Sequence, residues 1–248
     1  MGPKVETYTS EFYDDLSSTS LPSAKKIVPF ILDLWPSKSV LDIGCGNGSW
    51  LSTFRSCGVD HIKGIDGPWV KPDQLLIPSE NFKVMALDKE INVQEQFDIS
   101  MSLEVAEHLP AERASSFVAS LCNAAPVVFF SAAIPGQGGV NHVNEQWPEY
   151  WADLFAEHGY EAIDIIRPKF WNDSDVTWWY KQNCLLFVSN NILASEKGAK
   201  LKKAHETATH MPDAMVHPEL YSMKLNLSRP SFSRWIKMLS RVLGIKPW

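Results

Sequence analysis

Short apolar runs of β-prone residues alternate along this chain with stretches whose apolar residues recur every three or four positions. The runs are SVLDI at 39–43, HIKGID at 61–66, NFKVMAL at 81–87, FDISMSL at 97–103 and PVVFFSA at 126–132. Between them, Trp50, Leu51 and Phe54, and later Ala114, Phe117, Val118 and Leu121, have the spacing of one helical face. Strands that alternate with amphipathic helices predict a parallel sheet joined by crossovers. A further helix is predicted over WPEYWADLFAEHG, where Trp147, Trp151, Leu154 and Phe155 share a face and a glycine stands at the C-terminal end. YEAIDIIRPKF and QNCLLFVSN are predicted as two more strands, joined by WNDSDVTWWYK, a connection short enough for an antiparallel hairpin. Before the sheet, SAKKIVPFILDLW predicts a capping helix. The expected fold class is α/β, with a seven-stranded, mostly parallel sheet, an antiparallel last strand and a C-terminal helical extension.

Length and composition fit one sizeable core with an appendage, since the chain has 248 residues of which 45% are hydrophobic and 21% charged. The pattern divides it into an N-terminal cap segment at 1–36, a sheet domain at 37–190 and a helical extension at 191–248. No apolar run reaches the roughly 18 residues that cross a bilayer, and the acidic, polar opening MGPKVETYTSEFYDD lacks a signal-peptide pattern. A cytoplasmic chain is therefore expected. Cys45, Cys57, Cys122 and Cys184 are irregularly spaced, which suits reduced structural thiols better than a disulfide framework or a zinc pattern.

Charge changes the picture further. A net charge of −6 argues against a nucleic-acid partner, because phosphate affinity needs a basic surface, and a small-molecule substrate is expected instead. The average hides an asymmetry: Arg229, Arg234, Lys237, Arg241 and Lys246 fall in the last twenty residues with no acid among them. There SFSRWIKMLSRVLGIK is amphipathic, with Phe232, Trp235, Ile236, Leu239, Val242 and Leu243 on one face. Two uses are open to such a helix: docking on protein, or contact with an anionic membrane surface or a partner. Oligomeric state is not legible.

The segment richest in chemistry is VLDIGCGNGSWL, where a buried strand ends in Gly44, Gly46 and Gly48 and a helix begins at once. Glycines let the backbone turn sharply and approach a ligand, and a helix N-terminus offers free N–H groups. Asp66, at the end of the next strand in KGIDG and followed by Gly67, is placed to accept both hydroxyls of an adenosine ribose. Asp88 in MALDK follows the third strand and could accept from an adenine amino group or stand as a solvated turn residue. The Gly-x-Gly-x-Gly spacing departs from the Gly-x-Gly-x-x-Gly of dinucleotide dehydrogenases, which sets a hydride-transfer reading aside.

Together, VLDIGCGNGSWL, GIDG, MALD and FDISMSLEVAEHL resemble the successive motifs of class I S-adenosylmethionine-dependent methyltransferases over roughly residues 20–190. IPGQGGVNHVNEQWPEYW, DVTWWYKQNCLLF and VHPELY are similar to a bacterial branch of small-molecule methyltransferases associated with glycan or natural-product biosynthesis. The resemblance implies a Rossmann-like domain with S-adenosylmethionine as cofactor. It implies that Gly44, Gly46 and Gly48 line the methionine part, Asp66 holds the ribose with Gly67 beside it, and Leu87 and Asp88 flank the adenine. Ser102 and Leu103 would touch the cofactor mostly through backbone, and Asp42 would orient the loop or the ammonium group. The activity expected is methyl transfer to oxygen or nitrogen of a small acceptor. A non-catalytic module that binds the cofactor and regulates a neighbour is the alternative.

For such a transfer a general base is needed only where the acceptor arrives protonated. His142 in GGVNHVNEQW is the first candidate, lying just past the fifth strand, where open α/β sheets place their ligands, with a side chain that titrates near neutrality. The competing reading is that His142, Asn144 and Glu145 only tie down a loop. Glu104, Glu107 and His108 in LEVAEHL form a second cluster, with Glu104 and His108 on one face if helical as a catalytic candidate pair; the competing reading is that Glu107 and His108 only shape the pocket. His142 and Glu145 are too few ligands for an ion, and no metal is expected. Of the aromatic residues after position 146, Trp147 and Trp178 are the ones expected to touch substrate.

Overall fold

A computed structural model describes residues 10–89, 91–208 and 212–228. The chain divides into two compact units, Met1–Met215 and Val216–Trp248. The basic amphipathic segment at 231–246 lies outside the described residues.

The first unit is built on a sheet of seven strands among the described residues: β1 (Ser39–Ile43), β2 (His61–Asp66), β3 (Phe82–Val84), β4 (Ile99–Leu103), β5 (Val127–Ser131), β6 (Tyr160–Ile163) and β7 (Leu185–Ser189). Their order is β3-β2-β1-β4-β5-β7-β6. Strands β1 to β5 pair in parallel, whereas β7 runs antiparallel to both β5 and β6. The topology is that of a Rossmann-like sheet closed by an antiparallel hairpin, as the hydrophobic pattern predicts. The C-terminal ends of β1, β2, β4 and β5 and the N-terminal end of β7 therefore meet along one edge, and loops from distant parts of the chain converge there.

The central strands are apolar on both faces because helices cover both. Successive side chains alternate between two cores: Val40, Ile99, Met101, Val127 and Phe129 enter one, and Leu41, Ile43, Val128 and Phe130 enter the other. The first core is closed by α1 (Ser10–Leu34), whose Ala24, Ile27, Val28 and Ile31 recur at helical spacing, and by Trp50, Leu51 and Phe54 of α2 (Ser49–Ser56). The second is closed by Phe117, Val118 and Leu121 of α3 (Ala114–Ala124) and by Trp151 and Phe155 of α4 (Pro148–Ala156).

Three expectations change here. The strand predicted over YEAIDIIRPKF ends at Ile163, and the rest becomes the short helix α5 (Ile166–Phe170). The cause is a fully buried ion pair: the Arg167 guanidinium grips Asp164 three residues back, with Nε at 2.9 Å from Oδ1, and donates from Nη1 to the carbonyl of Asp213 at 2.8 Å. The connection before β7 also contains a helix, α6 (Trp178–Asn183), opened by Thr177, whose carbonyl receives the amides of Tyr180 and Lys181. The third strand is shorter than predicted, Phe82–Val84, and Leu87 and Asp88 sit in the turn after it. Beyond β7, α7 (Asn190–Leu193) and α8 (Ala199–Thr207) stay with the sheet, and Leu201 is fully buried in the first core.

In the second unit, α9 (Pro218–Ser228) starts with proline and carries Glu219 in its first turn. His217 caps it, its Nδ1 accepting the Glu219 amide at 3.3 Å and its carbonyl the Tyr221 amide at 3.1 Å.

Candidate active site

The first half of the site is the bend between β1 and α2. Gly44, Gly46 and Gly48 all have positive φ, at 86°, 54° and 82°, a region that side chains penalise. A Cβ on Gly44 would fall 2.4 Å from Cγ2 of Val105, so the turn after β4 presses directly on the bend. The bend is fixed by Asp66: the amide of Gly46 donates to its Oδ2 and that of Gly67 to its Oδ1, both at 2.6 Å. Sequence reasoning gave Asp66 a ribose-binding role alone, whereas here the same carboxylate also holds the glycine bend. Ser102 fixes the strand end in the same way, its Oγ donating to the Ile43 carbonyl at 2.7 Å, while Leu103 is buried beside it.

This end is lined by buried acids. Asp42 and Asp66 are both buried, and neither enters an ion pair among the described residues. Burial and then the charge of Asp66 push the Asp42 carboxyl well above the usual carboxylate range. Burial raises Asp66 as well, although the amides of Gly67 and Gly46 and the side chain of Trp69 act against it. Two desolvated acids beside a close-packed glycine bend suit a ligand that carries positive charge and hydroxyl groups together. Trp69 is a site residue that sequence reasoning missed: a Cβ on Gly67 would stand 2.2 Å from its ring. Its signal was the aromatic residue three positions after the acid in GIDGPW. Leu87 is buried, but Asp88 is exposed.

The second half lies past β4 and β5. Glu104 takes a left-handed backbone, φ 56°, rare for a residue with a side chain and concentrated at functional sites. Its amide donates to the carbonyl and the Oγ of Ser131, both at 3.1 Å. Its carboxylate accepts from Gln137 Nε2 at 2.8 Å and from Asn183 Nδ2 at 2.9 Å. Gln137 Oε1 in turn accepts from Asn183 Nδ2 at 3.0 Å and Gln182 Nε2 at 3.1 Å. Burial raises the Glu104 carboxyl, and these amide donors oppose the rise. Ser131, Gln137, Gln182 and Asn183 were not legible as site residues, because they meet Glu104 only through the sheet order.

Glu107, His108 and His142 complete this half. The amides of Val143 and Asn144 donate to the Glu107 carbonyl at 2.8 and 3.0 Å, which draws the loop after β5 against the turn after β4. His142 thereby meets His108 edge to face, ring centroids 4.8 Å apart, and its Nδ1 lies 2.9 Å from Glu145 Oε1. Glu145 is itself clamped by the amides of Gly136 at 2.7 Å and Gly138 at 2.6 Å. Burial, then the charge of Glu104, push the Glu107 carboxyl well up; burial and then His142 push His108 down to about 4. The sequence-selected His142, Glu104 and His108 thus share one cluster. Trp147 stands half-exposed at the start of α4, and Trp178 packs edge-on against Trp179 at 5.3 Å. A cavity of about 550 Å³ lined by Gln96, Cys122, Tyr160 and Asn190 opens at the opposite edge of the sheet. The Tyr160 hydroxyl there is already spent on the carbonyls of Cys122 and Ala125, so that cavity holds no comparable chemistry.

Comparison with known proteins bears on this geometry. A family profile described as a methyltransferase domain matches residues 21–183. No curated protein matches the chain. Among solved structures, an O-methyltransferase family protein from Burkholderia thailandensis is similar with a TM-score of 0.55 at 12% identity, over 74% of this chain and 60% of that one. An amino pentose methyltransferase from Micromonospora echinaspora, involved in calicheamicin biosynthesis and solved with S-adenosylmethionine bound, gives 0.54 at 14% identity, over 77% and 98%. Magnesium protoporphyrin IX methyltransferase from Synechocystis PCC 6803, solved with S-adenosylhomocysteine, gives 0.51 at 17% identity, over 69% and 84%.

Proposed function

This chain belongs to the methyltransferase-domain family, and on that premise we propose that it transfers a methyl group from S-adenosylmethionine to an oxygen or nitrogen of a small, sugar-containing or natural-product acceptor. The observation that carries the reading is the three-glycine bend clasped by a buried aspartate. The residues present fit the cofactor: close backbone approach at Gly44, Gly46 and Gly48, and a buried acidic pair for its positive charge. When bound, S-adenosylmethionine supplies a methyl group already activated on a sulfonium.

The chain's own residues then bind, orient and exclude water. Asp66 has lone pairs left for the ribose hydroxyls after its two amide bonds, and Gly67 and Trp69 wall that side. Leu87 lines the adenine end with Asp88 at its rim, while Ser102 and Leu103 hold the floor through the end of β4. Asp42 lies buried beneath the bend, where burial and Asp66 favour its protonated form until a cation pairs with it. Toward the acceptor, the His142–Glu145 pair is the group that accepts a proton from a hydroxyl or ammonium, and Glu104 with Gln137 and Asn183 offers fixed polar contacts.

The oxygen and amino-sugar methylation named for the Burkholderia and Micromonospora proteins supports this acceptor class. Its test is transfer of radiolabelled methyl from the donor into fractionated metabolite extracts, followed by mass spectrometry of the labelled fraction. A product heavier by one methyl substitution on a small polar metabolite is the expected result. A folded protein that binds the donor yet labels no fraction contradicts the proposal.

A further inference from the structure

Glu107 is fully buried, and neither of its carboxylate oxygens has a hydrogen-bond partner among the described residues. The nearby amides of Glu107 and Ala133 offset its burial only in part and make no well-aligned bond. A buried carboxylate in this state is stable only when neutralised, paired or bound to a metal ion. His108 beside it has a buried Nδ1 that also lacks a partner. Three orphaned ligand atoms on adjacent residues are a deficit that one species can fill.

We propose that Glu107, His108 and His142 together bind a divalent transition-metal ion at the C-terminal ends of β4 and β5. One carboxylate oxygen and one ring nitrogen from each histidine lie within 4.8 Å of one another. Ligands on a common ion with bonds of about 2.1 Å stand roughly 3 to 4 Å apart, so side-chain rotations of about 1 Å bring the three into place. The perpendicular rings of His108 and His142 approach the shared point from different directions, as separate coordination positions require.

Around these ligands stands the support that metal sites use. Glu145 fixes the ring of His142 and is itself fixed by two loop amides, a carboxylate–histidine pairing that orients a ligating imidazole. Glu104 adds a second buried acid facing Glu107, and its carboxylate is already held by Gln137 and Asn183. Two imidazoles with one carboxylate select zinc, manganese, iron or cobalt over magnesium and calcium, which prefer all-oxygen sites. Sequence spacing exposed only His142 and Glu145 as candidate ligands; the tie between Glu107 and the loop at 143–144 brings in the others.

Binding of the ion stands on the cluster alone, whereas its use rests on the methyl-transfer reading. An ion here keeps coordination positions open for an acceptor oxygen, and His142 then acts as ligand rather than as base.

The test is calorimetric and visible-absorption titration of chelator-treated, full-length protein with cobalt(II) alone, with S-adenosylhomocysteine titrated separately into the same samples. One cobalt(II) per chain with a new visible band is expected, weakened at least tenfold in Glu107→Gln and in His142→Ala, and unchanged in Cys57→Ser. His142→Ala serves if Glu107→Gln does not fold, since the His142 side chain is partly exposed. Absence of stoichiometric cobalt binding, or binding untouched by the folded ligand variants, overturns the proposal. Retained S-adenosylhomocysteine binding in that case leaves the transfer reading and the His142 base standing.

Discussion

Asp42 holds its proton more tightly in the folded chain than it would in the unfolded one, because burial and the charge of Asp66 oppose its ionisation, with Cys45 also facing it. Raising pH through that elevated folded pKa therefore costs stability, and lowering it toward the ordinary carboxylate range restores the loss. Asp42→Asn removes the penalty, so its thermal midpoint is expected to exceed that of wild type by more at pH 8 than at pH 5. If the buried acid serves the donor's positive charge, the same variant binds S-adenosylmethionine at least tenfold more weakly. Scanning calorimetry at both pH values and donor titration check the two halves together. The thiols give a second residue-scale test. Burial pushes Cys122 up to about 12 and raises Cys45 and Cys184 well above an ordinary thiol, while Cys57 is exposed. One thiol should react rapidly with a disulfide reagent in the native protein and four in denaturant.

Among the elements, the bend from β1 into α2 is the most constrained. Gly44→Ala must tolerate φ of 86° and a methyl group 2.4 Å from Val105, and is expected to cost about 2 to 4 kcal/mol from left-handed strain and overpacking together. Gly58→Ala, at φ 91° with open space around it, meets only the backbone penalty of about 1 to 2 kcal/mol. Denaturant titration of both variants separates close packing from conformation. This bend was legible because strand, glycines and helix are contiguous, and Asp66 lies one strand away. The stretch at 160–170 was not, since Ile165 and Ile166 continue an apolar run that only the buried Arg167–Asp164 pair turns into α5. In the same way α6 was hidden by Trp178, Trp179 and Tyr180, aromatic residues that favour strands locally but here face neighbouring rings. Arg167→Ala leaves Asp164 buried without its partner and is expected to cost about 3 to 5 kcal/mol.

At the scale of the whole molecule, the strand order does what no local pattern reveals: it brings Gln137 and Asn183 onto Glu104, from 33 and 79 residues away in the chain. The proposed cofactor half of the site was readable as a sequence motif because it is local, and the proposed acceptor half was readable only as isolated candidates, because it is assembled by the sheet. Val105 joins the two, following Glu104 in sequence and packing over Gly44. Methyl transfer requires that the first half seize the donor before the second can matter. Isothermal titration of folded wild-type protein and Asp66→Ala with S-adenosylhomocysteine tests that requirement directly. The account predicts saturable one-to-one binding by wild type and at least a tenfold loss in the variant, about 1.4 kcal/mol. Absence of binding heat from wild-type protein with either this thioether or S-adenosylmethionine would contradict it.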